Sequence, residues 1–265
     1  DNISLFAENQ FKVTDKLSIT PGLRYEYINS TIEGRFNIDN NNNNILAPEN
    51  AINRNVILAG LGIEYKVTPA TNIYTNFSQA YRPVLFSDIT PPATTDVIDE
   101  NLQDASGFNF DFGYRGSLFG YLNFDVNYFY MNYSDRIGTI SRFNDIANPA
   151  LGTFQFRTNL GESIHQGFEG FLDVNITKAL DIDKKIGDIS FFTTMSFIDA
   201  VYTDFPLASA AGTGSDTVIN TSNLKDKRVE NAPKYIHNFG LTWGYKNYSL
   251  TAQKRMVSDV FTDAQ

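Results

Sequence analysis

"YLNFDVNYFYMNY", residues 121–133, alternates bulky apolar with polar side chains for most of its length. Leu122, Phe124, Val126, Tyr128 and Tyr130 fall on one parity, and Asn123, Asp125 and Asn127 on the other. Successive side chains of a strand point to opposite faces, so the stretch is a ribbon with one greasy and one wet side. Whether the greasy side meets a protein core or lipid decides the fold.

The composition leans towards lipid. The chain has 265 residues, enough for one large β domain or two ordinary domains. Aromatic residues make up 14%, with 14 Tyr and 22 Phe, and charged residues only 19%. Soluble domains carry about one quarter charged residues, so this surface is poorly matched to water alone. A net charge of −9 and the lack of any Lys/Arg cluster argue against nucleic acid as a partner. Cysteine is absent, which excludes disulfides, thiolate zinc sites and cysteine nucleophiles. No apolar run reaches the roughly 18 residues of a transmembrane helix. The start carries no basic segment followed by an apolar one, as a signal peptide would.

Along the chain the same ribbon recurs. "LSITPGLRYEYINSTI" (17–32), "VILAGLGIEYKV" (56–67), "NIYTNFSQAYR" (72–82) and "SGFNFDFGYRG" (106–116) all alternate. "FQFRTNLGESIHQGFEGFLDVNIT" (154–177) reads as one long strand that projects beyond a membrane at its start. "ISFFTTMSFIDAVYTDF" (189–205) and the hairpin "KYIHNFGLTWGYKNYSLTAQKRM" complete about ten strands. The connections alternate strictly. "VTDK", "TPAT", "GSLFG" and "KALDIDKKIGD" are short, while four others are long and polar. A soluble sandwich has no reason to sort its loops by length, whereas a transmembrane barrel has short turns at one rim and long loops at the other. The strands often exceed the nine to eleven residues, roughly, that cross the hydrocarbon. The expected fold is all-β, a transmembrane antiparallel up-and-down β-barrel with the polar parity lining the lumen.

Several segments resemble the barrel of TonB-dependent outer-membrane receptors of the siderophore and ferric-citrate kind. "SLFAENQFKVTDKLSITPGLRYEYI" is similar to a hairpin of that family, and "NIYTNFSQAYRPVLFSD" to a strand end with aromatic–x–Arg–Pro. "NLQDASGFNFDFGYRG", "TNLGESIHQGFEGFLDV" and "SDVFTDAQ" resemble further pieces in the family's order. The resemblance implies a barrel of about 22 strands around an N-terminal plug. It also implies uptake of a ferric chelate driven by the TonB–ExbB–ExbD complex, with outer-membrane lipid and lipopolysaccharide as surroundings. Residues 1–265 are then expected to be part of a single barrel domain, with the plug, a TonB box and the closing C-terminal strand outside this chain. Receptors for haem, cobalamin or oligosaccharide share such barrels. A passive porin, a soluble sugar-binding β protein and a barrel enzyme stay as alternatives.

Catalysis finds little support. His165 and His237 have no ligand partner at i+2 or i+4, no nucleophile-elbow motif appears, and no helix follows "GYRGSLFG" to aim amides at a phosphate. Asp39 with the run Asn40–Asn44, and "DVIDENLQD" (96–104), are oxygen-rich but lack calcium-loop spacing. No cofactor is expected, since iron arrives as a chelated substrate. The candidate ligand residues are the cations near the long loops: Arg82, Arg136, Arg142, Arg157 and Arg228. Guanidinium groups grip carboxylates through paired, charge-assisted hydrogen bonds. Arg142 and Arg157 flank one excursion and are expected to face one another. Tyr81, Phe86 and Phe143 are candidate apolar walls. The plainer alternative for each arginine is a bond to a loop carboxylate or to lipopolysaccharide.

Overall fold

The computed structural model describes residues 2–31, 35–38, 44–46, 51–85, 88 and 96–262. Its strands, in chain order, are β1 (Asn2–Glu8), β2 (Phe11–Lys12), β3 (Leu17–Thr31), β4 (Arg35–Ile38), β5 (Asn44–Leu46) and β6 (Ala51–Thr68). Then come β7 (Thr71–Arg82), β8 (Asp96–Ile98), β9 (Ala105–Leu118), β10 (Leu122–Ser134), β11 (Ile137–Phe143) and β12 (Thr153–Asn159). The last six are β13 (Glu162–Asn175), β14 (Asp188–Asp204), β15 (Pro206–Ala211), β16 (Val218–Asn223), β17 (Tyr235–Tyr245) and β18 (Tyr248–Val257).

One sheet runs β1-β3-β6-β7-β9-β10-β13-β14-β17-β18, with β2 continuing β1 along β3. Each long strand pairs antiparallel with the next long strand in sequence, which is up-and-down topology. Among the described residues, β1 and β18 pair on one side only. The short links are tight. Phe119 and Gly120 take positive φ between β9 and β10, and α1 (Ile176–Ala179), capped by the Asn175 side chain, leads out of β13.

The register makes the two faces explicit. Phe112, Tyr128, Phe168, Phe197 and Tyr235 form one ladder across five strands. Phe112, Phe168 and Phe197 are 50%, 59% and 53% exposed. The ladder on the opposite face, one residue along, is Tyr74, Gly113, Asn127, Glu169 and Ser196. The buried apolar residues are Val84, Ala105, Leu160, Ala200, Tyr202, Leu224 and Val229, all at the long-loop end of the sheet. No second sheet covers the bulky face among the described residues. A sandwich would bury that face in a dry centre, and a membrane strand presents it to lipid.

The long connections carry strands of their own: β4 with β5, β11 with β12 and β8, and β15 with β16. This corrects the expectation of one strand over 154–177. Residues 153–159 belong to the loop sheet, and the chain turns at Leu160–Gly161 before β13. Gly161 has φ +96°, and a Cβ there would fall 2.2 Å from the Asp204 carbonyl oxygen. That backbone admits glycine and strains any other residue.

Candidate functional site

At the long-loop rim, the second and third excursions are stitched together. β8 pairs parallel with β12. The Asn159 amide donates to the Gln103 carbonyl at 2.9 Å while its oxygen accepts from the Gln103 N–H at 2.8 Å. Thr158 donates to Asp99, and Asp104 holds both Arg54 Nε and the Val84 N–H. Thr158, the Asn101 N–H and nearby Arg142 keep the Asp99 carboxyl below its usual range. The acidic stretch 96–104 therefore directs Asp99 and Asp104 into the loop's own bonds. Asp39 and Asn40–Asn43 lie outside the described residues.

Two of the candidate arginines converge on one carboxylate. Arg82 Nη2 lies 2.9 Å from Asp88 Oδ2, and Arg157 Nη2 lies 2.6 Å from Oδ1. The Leu85 N–H donates to Oδ2 at 2.9 Å. Asp88 is 1% exposed. Burial opposes its charge, but the Leu85 N–H and the two guanidinium groups outweigh burial and hold its pKa below the ordinary value. Arg82 Nη1 and Arg157 Nε are buried with no acceptor among the described residues.

Arg136 is engaged as well. Its Nη2 donates to Glu230 at 3.2 Å, and its guanidinium lies over the rings of Tyr133, Tyr202 and Phe205. The Tyr202 hydroxyl donates to the other Glu230 oxygen. Burial works against the Glu230 carboxylate, yet Tyr202 and Arg136 keep its pKa low. This cluster docks the fourth excursion on β14, where Leu224 and Val229 pack against Ala200 and Tyr202.

Arg142 and Arg157 do not face one another, because the β11–β12 register sets Arg142 opposite Phe154 and Arg157 opposite Thr139, on opposite faces. Arg142 is exposed and stacks 3.7 Å over the Phe156 ring. Arg228 is half-buried, with Nη2 lacking an acceptor among the described residues. The Tyr81 hydroxyl donates to Glu26, which also pairs with Arg24 at 2.5 Å. Phe143 is half-buried at the end of β11, opposite Thr153. Phe86 lies outside the described residues.

A cavity of about 270 Å³ opens at this rim, lined in part by Tyr81, Arg82, Asn109, Met131, Tyr133 and His165. Sequence reading missed Asp88 and Glu230 as the partners of Arg82, Arg157 and Arg136, and Glu26 as the partner of Tyr81. Asp88 lies six residues beyond Arg82, a signal only in hindsight of a turn that folds back. Deeper along the polar face, Arg115 bridges Glu64 at 2.9 Å and lies over the Tyr74 ring, whose hydroxyl donates to Asp125 at 2.8 Å. These groups give the face its hydrophilic character.

Residues 1–264 match the family model described as TonB dependent receptor-like, beta-barrel. An uncharacterized TonB-dependent receptor of Haemophilus influenzae is 29% identical over 180 residues, which is 68% of this chain and 46% of that protein. The siderophore receptor PiuA from Acinetobacter baumannii is similar with a TM-score of 0.70 at 19% identity, over 98% of this chain and 33% of that one. For the ferric yersiniabactin uptake receptor FyuA from Yersinia pestis the TM-score is 0.68 at 15% identity, over 99% and 35%. The chain spans less than half the length of each of these proteins.

Proposed function

Because this chain belongs to the TonB-dependent receptor-like β-barrel family, a family of the outer membrane, we propose that it forms part of the wall of an active transporter for a ferric chelate, of the siderophore or ferric-citrate type. The bulky face lies in the outer membrane and the polar face lines the bore. The long loops are the extracellular rim, and the short turns face the periplasm. Energy comes from the TonB–ExbB–ExbD complex acting through a plug, with lipid and lipopolysaccharide around the wall.

The observation that carries this reading is the set of guanidinium donors at the rim that carboxylates leave free. Arg82 Nη1, Arg157 Nε and Arg228 Nη2 have no acceptor among the described residues, and Arg142 stands exposed on Phe156. A ferric chelate of hydroxycarboxylates is anionic and would use such donors. Tyr81 and Phe143 serve as apolar walls. Arg136, held by Glu230 and three rings, acts by docking its loop beside the ligand.

The test is uptake of radiolabelled iron by a receptor-deletion strain carrying the full receptor, supplied with single iron sources. Uptake that requires TonB is expected. Arg142→Ala combined with Arg228→Ala should reduce it about a hundredfold, the loss of two charge-assisted contacts at roughly tenfold each. TonB-independent uptake with steady bilayer conductance would mean a porin. Transport of haem, cobalamin or oligosaccharide in place of iron chelates would refute the cargo.

A further inference from the structure

The Arg82–Asp88–Arg157 cluster is built unevenly. The carboxylate is fully engaged: Oδ1 accepts from both guanidiniums, and Oδ2 accepts from the Leu85 N–H with Arg82 Nη2 at an ion-pair distance of 2.9 Å. The cations are not, since each uses a single terminal nitrogen on Asp88 and keeps a buried donor, Nη1 on Arg82 and Nε on Arg157, without an acceptor among the described residues. A guanidinium binds a carboxylate best through two parallel bonds, which neither arginine makes here. Two cations against one carboxylate leave a net positive pair at the edge of the cavity that Arg82 lines. The three residues also join separate elements: Arg82 ends β7, Asp88 follows it in the second excursion, and Arg157 sits in β12 of the third.

We propose that Asp88 occupies a binding site for a carboxylate-bearing solute, and that such a solute takes the arginine pair by displacing Asp88. This rests on the ferric-chelate reading and narrows it to carboxylate chelates. The exchange swaps one anion for another, so the guanidiniums stay paired throughout and the incoming group gains the two donors that Asp88 cannot reach. Displacement also breaks the bond from the Leu85 N–H to Asp88, so occupancy of the rim is transmitted to the second excursion. Asp88 thereby sets a threshold: weakly held monocarboxylates lose the competition, and chelates offering several carboxylates win it.

The experiment is titration of the full receptor in detergent with ferric citrate and, separately, with a neutral ferric trihydroxamate. Asp88→Asn removes the competitor and should tighten ferric citrate about tenfold, with no gain for the trihydroxamate. Arg82→Lys and Arg157→Lys keep charge but lose the fork, and each should weaken ferric citrate about tenfold. In the unsubstituted receptor, ferric citrate should speed hydrogen exchange at the Leu85 amide. Unchanged or weaker ferric citrate binding in Asp88→Asn, an equal gain for the trihydroxamate, undiminished Leu85 protection, or no ferric citrate binding at all would each overturn the proposal. Energised uptake of a different ferric chelate alongside any of these would leave the transporter reading standing.

Discussion

On the polar face, three aromatic rings each stand directly opposite a glycine of the next strand: Tyr74 with Gly113, Phe129 with Gly167, and Phe192 with Gly240. A Cβ at Gly113 would fall 2.4 Å from the Tyr74 ring, and one at Gly240 would fall 2.6 Å from Phe192. The rings lie across the gaps that the glycines leave, so cross-strand packing continues over them. Gly113→Ala should therefore push Tyr74 off Asp125 and cost about 1–3 kcal/mol, read as a lowered thermal midpoint. Gly170→Ala, on the bulky face with nothing near its Cβ, should stay within about 0.5 kcal/mol. Equal damage from both would mean that the faces are wrongly assigned. Phe129 and Phe192 are also where parity fails as a guide, because each is bulky yet sits on the polar side. Their glycine partners are more than thirty residues away in sequence, and only the register brings them together. Separation in sequence also hid the pairing of Asp88 with Arg157 and of Glu230 with Arg136, whereas the arginines themselves were legible from their positions at strand ends.

β12 and β13 show what alternation can and cannot tell. Both alternate, so sequence period assigns each to a strand, yet one crosses the sheet and the other lies in the loop cap. The divider is Gly161, whose positive φ and close approach to Asp204 set the turn. Gly161→Ala should loosen the third excursion by about 1–3 kcal/mol, seen as faster protease cleavage there, while the spanning sheet is unchanged. Two carboxylates, the buried Asp88 and the half-buried Glu230, tie these loops down, Asp88 to β12 and Glu230 to Arg136. Both folded pKa values lie below their ordinary ones. The ties are therefore fully present above about pH 4.5, and are lost as the pH falls through the lowered values. Hydrogen exchange in β8, β11 and β12 should rise on acidification from about pH 7 to about pH 3, ahead of any change in β9, β10 and β13. Simultaneous loss in all of them would show that these carboxylates do not anchor the loops separately.

At the scale of the molecule, ten strand positions hold together with little buried apolar core. The ladders satisfy the backbone, and the bulky side chains are left outward, an arrangement that water penalises and lipid favours. The long–short alternation of connections was legible in the sequence because it is set by the membrane: short turns need only reverse the chain, while rim loops are free to grow. What the sequence left hidden was the folded structure of those loops, since their small sheets depend on pairs distant in sequence, such as Asp96–Ile98 with Gln155–Arg157. The central claim, that one face of each ribbon meets fatty acyl chains and the other meets water, is tested most directly by spin labels at single cysteines placed in turn at positions 122–130 of the full receptor in lipid bilayers. Oxygen accessibility should peak at 122, 124, 126, 128 and 130, while that of a water-soluble nickel chelate should peak at 123, 125 and 127. Accessibility without a two-residue period, or with both probes excluded from the bulky positions, would contradict it.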